Sequence, residues 1–218
     1  MSYIVRDEPA RRPGGPLLAA LGVAGVLVAA LAALLVWAAG PDEPERPQVS
    51  WSVVGVQPVP LSQRHGPTRT GDGLASGFTH DEFGAALAAM HITARLVPAV
   101  PPAVSQQTAR AQCFGDVEAY IERIERSRRA RPPVRPDEVG SELYYRVVDG
   151  DPRGLSVRIS LAAVSEEARQ KGGYAELTRT LQWIDGDWKL QLPPPPRAII
   201  TSLDGYRPLE PDLSLIHI

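Results

Sequence analysis

The polar and apolar positions of this chain divide it into three stretches with different periods. Leu17 to Ala39, LLAALGVAGVLVAALAALLVWAA, is apolar throughout and carries no charge. From Phe83 the apolar residues Phe83, Leu87, Met90, Ala94 and Val97 recur at helical spacing, which predicts a helix that starts near Thr79. Pro98 ends it, because the residue before a proline is pushed out of the helical region. A second helix is expected from about Ser105 to Arg129, with Phe114, Val117, Ile121 and Ile124 on one side. Later the period drops to two. Leu143, Tyr145 and Val147 alternate with Tyr144, Arg146 and Val148, and Leu155, Val157, Ile159 and Leu161 alternate with Ser156, Arg158 and Ser160.

Two more strands flank Asp185-Gly186, a pair suited to a two-residue hairpin turn. If Ile184 pairs with Asp187, then Trp183 faces Trp188, Leu181 faces Leu190 and Arg179 faces Leu192. Pro193 to Pro196 should end the sheet. An earlier strand, Trp51 to Val59, is expected to stop at Pro58 and Pro60, and His65 to Ser76 reads as a loop. The order is one early strand, two helices and an antiparallel sheet of at least four strands, hence an α+β domain.

A helix over Leu17–Ala39 would be about 34 Å long, enough for a hydrocarbon core of about 30 Å. A secretory signal competes with this reading, but its apolar core is usually only ~7–15 residues. Arg6, Arg11 and Arg12 precede the run, whereas Arg46 comes after it inside the acidic stretch PDEPER. The positive-inside rule then keeps the N-terminus cytoplasmic and exports the chain beyond Gly40. The expected organisation is a cytoplasmic N-terminus (1–16), a transmembrane helix (17–39), a proline-rich stalk (40–50) and an exported α+β domain (51–207). Residues 213–218, LSLIHI, translate CTGTCTCTTATACACATC, which looks like a transposon end used in sequencing adapters, so His217 carries no functional weight.

The formal net charge of −2 gives no overall footprint for nucleic acid. A single cysteine, Cys113, excludes an internal disulfide and a cysteine-based zinc cage, and its neighbours suggest a small buried residue. His80-Asp81-Glu82, in the stretch GFTHDEF, has the look of an acid–base site. Thr79 and Glu82, however, make T-x-x-E, a capping box, with Phe78 and Phe83 as a hydrophobic staple. On that reading only His80 has no structural part. His80 and His91 lie on one helical face about 16 Å apart along the axis, too far to share a zinc. GDGLASG lacks the lysine of a phosphate-binding loop, and Ser76 stands in the wrong place for a nucleophile elbow. No catalytic residue, metal ligand or cofactor is expected.

The local charge excess is the arginine group Arg123, Arg126, Arg128, Arg129, Arg131 and Arg135. Interleaved glutamates give a solvated helix end, with Glu122/Arg126 and Glu125/Arg129 as i, i+4 pairs; its best functional use is an interface with an acidic partner. Arg179 falls on the apolar face of the hairpin, where it needs a partner such as Glu82 or Glu118, or a bulge. Tyr145, Trp183 and Trp188 are read as core rather than as the lining of a ligand pocket.

The segment from Trp51 to Leu96 resembles the start of actinobacterial, conjugation-associated membrane proteins. The shared pattern is GP…G…GF-(A/T)-H-(T/D)-x-x-GA, here Gly66-Pro67, Gly73, Gly77-Phe78-Thr79-His80 and Gly84-Ala85. The resemblance covers residues 15 to about 207. More broadly the layout is similar to the periplasmic scaffold subunit of type IV secretion systems. That likeness implies a cone-shaped, nuclear transport factor 2-like fold with helices first. It also implies a non-enzymatic scaffold in the cell membrane, in contact with other components of a transfer apparatus or with further copies of itself. An accessory protein of a lipid importer, resembling mammalian-cell-entry-associated proteins, is the alternative in the same architecture. A ketosteroid-isomerase-like enzyme is a third, and would need an isolated carboxylate and a tyrosine inside the cone.

Overall fold

A computed structural model of the chain describes residues 49–55, 57–71, 73–130 and 139–209. The expected membrane span, most of the stalk and the segment 213–218 lie outside these residues.

The described part opens on strands, not helices. β1 (Val49–Val54) and β2 (Gln57–Ser62) form an antiparallel hairpin in which Val53 pairs with Pro58 and Trp51 with Pro60. The prolines do not end the strand. Being two residues apart they point their nitrogens the same way, towards the open edge of a two-stranded sheet, where a missing donor costs no ladder bond. β3 (Arg69–Gly71) and β4 (Leu74–Ser76) pair within the stretch expected to be a loop.

α1 (Glu82–Arg95) is the next element, and the expected stripe is only part of its buried surface. Ala85, Ala86, Leu87, Ala88, Ala89 and Ile92 are all fully enclosed. A helix apolar on nearly every side belongs in the middle of a core, and enclosing Leu87 or Ile92 is worth about 1.5–3 kcal/mol each. Past Arg95 the Leu96 N–H turns back to the Thr93 carbonyl, and the chain leaves the helix before Pro98.

The expected second helix is broken into α2 (Pro102–Gln112), β5 (Cys113–Gly115) and α3 (Val117–Ala130). Gly115 makes the break possible. Its φ of 91° suits glycine, and a Cβ there would stand 2.3 Å from the Leu192 carbonyl oxygen. The apolar period runs through the break because Phe114, Val117 and Ile121 keep helical spacing across it.

β6 (Val139–Gly150), β7 (Ser156–Ser165), β8 (Tyr174–Ile184) and β9 (Asp187–Leu192) are the long strands. A short helix, α4 (Glu166–Gln170), joins β7 to β8, with the Ser165 hydroxyl accepting from the Ala168 N–H at its start. β10 (Ala198–Ile200) and β11 (Arg207–Pro208) come after the prolines, which end β9 but not the sheet. The seven-stranded sheet runs β11-β6-β7-β8-β9-β5, with β10 beside β8. Leu181↔Leu190, Trp183↔Trp188 and Ile184↔Asp187 pair as the turn dipeptide predicts, and Asp185 and Gly186 both have positive φ. The inner face, carrying Tyr145, Val157, Ile159, Leu161, Leu181, Trp188, Leu190 and Leu192, forms one core with α1.

The protein is therefore α+β, but the expected nuclear transport factor 2-like cone with helices first does not stand. Four strands precede the first helix, and β5 enters the main sheet parallel to β9. Among the described residues no helix is long and apolar enough to cross a membrane.

Candidate functional site

Asp81, not Thr79, caps α1. Its backbone is extended and its Oδ1 accepts from the Gly84 N–H at 2.7 Å. The capping box read from T-x-x-E is thus two residues out of place, and Glu82 is already in the helix. Gly84 belongs to the same device, since a Cβ there would lie 2.2 Å from the Thr79 carbonyl oxygen. That carbonyl accepts from Trp188 Nε1 at 2.9 Å, so Thr79 is extended chain tied to β9. Phe78 and Phe83 are both buried, but as core residues against the His91 and Tyr145 rings rather than as a staple.

His65 completes the cap, with Nδ1 3.0 Å from Asp81 Oδ2 and 3.1 Å from Thr79 Oγ1. Burial pushes the Asp81 carboxyl up, but the Gly84 N–H, the Thr79 hydroxyl and His65 together hold it below its ordinary value. His80 also has a structural part. Its ring stacks on Trp183 with centroids 4.1 Å apart and planes 4° from parallel, and Nε2 donates to the Gly154 carbonyl at 2.7 Å. His91 is fully buried, donates from Nε2 to the Pro60 carbonyl and accepts at Nδ1 from Arg95. Burial, with Arg95 adding to it, lowers its pKa to about 4, so the ring is neutral at pH 7.

The stretch GFTHDEF is therefore a hub joining α1, β9 and the β6–β7 turn. An isomerase-like base would be a carboxyl raised by an apolar pocket. Tyr145 is buried here, but its acidic neighbours are committed elsewhere: Asp81 is lowered and capping, and Glu82 pairs with Arg207 at 2.5 Å. Among the described residues no group of three His, Cys, Asp or Glu side chains is placed to hold a metal. Burial pushes the Cys113 thiol up to about 12, as suits a small core residue.

The arginine group separates into two kinds of residue. Arg128 turns inward, donating to the Pro98 and Val100 carbonyls at 3.1 and 2.9 Å, to the Ser105 hydroxyl and to Glu125, so it ties α3 to the α1–α2 link. That removes it from the expected interface, and it takes the Glu125 carboxylate that spacing assigns to Arg129. Arg126 bonds the Glu122 carbonyl oxygen rather than its carboxylate. Arg123, Arg126 and Arg129 are exposed, and their i, i+3, i+6 spacing lines them along one side of α3. Arg131 and Arg135 lie outside the described residues.

Arg179 lies on the inner face of the sheet, as the register predicts, and is only 6% exposed. Neither expected carboxylate reaches it, since Glu118 pairs with Arg110 and Glu82 with Arg207. Its Nε donates to Thr93 Oγ1 at 3.0 Å and Nη1 to the Thr178 carbonyl at 2.8 Å. Burial lowers its pKa to about 10, partly offset by the Tyr120 phenol. Spacing could not have found the Thr93 contact, which joins residues 86 apart in sequence.

A family model described as "Domain of unknown function (DUF8175)" matches residues 32–208, most of the chain, and the chain belongs to that family. No curated protein and no solved structure matches it.

Proposed function

We propose that this chain is a non-enzymatic assembly factor of a conjugative, type IV secretion-like DNA-transfer apparatus, and that it works at the outer face of the cell membrane. The observation that carries the reading is the exposed row Arg123, Arg126 and Arg129 on α3, a fixed positive edge offered to an acidic surface. The charged and aromatic groups of GFTHDEF support it from the other side, because each is engaged in holding the fold. The conjugative setting rests on the resemblance carried by Gly66-Pro67, Gly73, Gly77-Phe78-Thr79-His80 and Gly84-Ala85. The partner is another component of the apparatus or a second copy of the chain, met by protein–protein contact and without a cofactor.

Reversing all three charges (Arg123→Glu, Arg126→Glu, Arg129→Glu) tests this in a strain lacking the chromosomal copy. Like charges brought together at an interface cost several kcal/mol, so transfer frequency should fall by at least about tenfold while the melting temperature stays near wild type. Unchanged transfer with normal protein levels would remove the α3 surface from the mechanism.

A further inference from the structure

The strand edges of the domain are closed in different ways. β2 carries Pro58 and Pro60 along its outer edge, and the open part of β6 is bulged near Val147 and holds Arg146 and Asp149. Prolines, bulges and charges are the devices that keep an edge from pairing with another chain. β1 has none of them. Its sequence is VSWSVV, and no strand other than β2 pairs with it. The register shows which groups β1 leaves open. Trp51 pairs with Pro60 and Val53 with Pro58. A proline has no N–H to exchange, so these are pairs of the kind that make no hydrogen bonds to each other. The alternation then turns the N–H and C=O groups of Val49, Trp51 and Val53 away from β2, toward the free edge. No hydrogen bond joins these groups to any other described residue. The Val53 side chain is 68% exposed.

We propose that β1 pairs antiparallel with β1 of a second copy of the chain, with Trp51 on the two-fold axis, so that two two-stranded hairpins close into one sheet. Val49 to Val53, VSWSV, reads the same in both directions. Antiparallel pairing sets one copy against the reverse of the other, so this stretch places Trp51 on Trp51, Ser50 on Ser52 and Val49 on Val53. A two-fold interface has to be self-complementary in this way. The residues with open N–H and C=O groups fall opposite one another and exchange both bonds. Each cross-strand pair is also of a favourable kind: aromatic on aromatic, hydroxyl on hydroxyl, β-branched on β-branched. The exposed Val53 is covered by the half-buried Val49 of the second copy. This edge is separate from the arginine row on α3 and does not rest on the assembly role.

The full chain, purified in a mild detergent, is followed by sedimentation velocity over a range of protein concentrations, and a dimer is expected. Val53→Pro removes an N–H from the free edge but none from the β1–β2 ladder. It should weaken dimerisation by about tenfold or more and leave the melting temperature of the monomer near wild type. Val53→Lys puts a charge on the same edge and should act in the same direction. Disulfide formation under mild oxidation reads the register. Chains carrying Ser50→Cys mixed with chains carrying Ser52→Cys should cross-link, because positions 50 and 52 stand opposite across the axis. Either variant alone should not, and the native Cys113 is buried. The proposal is overturned by a dimer that both Val53 variants leave intact, or by cross-linking of one cysteine variant alone as efficient as that of the mixture. A chain that is monomeric at every concentration overturns it too. If Val53→Pro then still lowers transfer frequency, the edge belongs to a strand of another protein.

Discussion

Asp81→Ala separates the cap seen in the structure from the cap that spacing predicts. Asp81 accepts from the Gly84 N–H and also meets His65, so alanine removes a helix cap and an ion pair together. Loss of an N-cap side chain typically costs about 1 kcal/mol, within a range of about 0.5–2. The His65 pair is partly exposed, with side-chain exposures of 15% and 33%, so little is added for it. For a domain of this size each kcal/mol moves the melting temperature by about 2–4 °C, giving a fall of about 1–8 °C at pH 7. Asp81→Asn, which caps about as well as aspartate, should recover most of it. Circular dichroism melts at pH 7 and at a series down to pH 3 check both the size and the pH dependence. Because the folded carboxyl lies below its ordinary value, its contribution is complete above about pH 4 and is lost as pH falls through the lowered folded value. The gap between wild type and Asp81→Ala should therefore narrow only at the acid end. A Thr79→Ala variant losing as much as Asp81→Ala, or a gap that narrows near neutral pH, would refute the assignment.

Arg128→Ala should destabilise the protein by about 1–3 kcal/mol in urea unfolding, since it leaves the inward-facing carbonyls of Pro98 and Val100 without their donor. Arg126→Ala, on the exposed side of the same helix, should stay within about 0.5 kcal/mol of wild type. The His91 ring should titrate near pH 4 in NMR rather than near neutrality. The unfolded ring takes up its proton near pH 6.5 and the folded one only near 4, so this residue withdraws stability as pH falls between those values and adds nothing to the pH dependence above them.

Legibility tracks the distance over which each interaction acts. The β8–β9 hairpin is readable to the residue, because a two-residue turn sets the register and the alternation around it agrees. The end of α1 before Pro98 is readable for the same local reason. The cap at Asp81 lies within two residues of the predicted one, yet spacing cannot choose between Thr79 and Asp81. The choice is made by His65, sixteen residues away, together with Trp188 drawing the Thr79 carbonyl out of the helix. The break at Cys113–Gly115 depends on an edge of β9 for those residues to join, which no window on the helix contains. Arg128 and Arg129 are adjacent in sequence and opposite in role, and only the position of the Pro98–Val100 link tells them apart.

Local chemistry thus determined by itself the apolar stripe of α1, the period-two stretches of β6 and β7, the tight β8–β9 turn and the arginine-rich end of α3. Tertiary structure decided which polar groups had partners left. His80 and Asp81 stand out in the sequence as candidate chemistry, and in the fold they are consumed by Trp183, Gly154, Gly84 and His65. Arg179 calls for a carboxylate by its place in the register, and among the described residues it has none. Hydrogen bonds and ion pairs saturate: Glu82 and Glu118 are taken by Arg207 and Arg110, and that competition is settled only when the whole chain is packed.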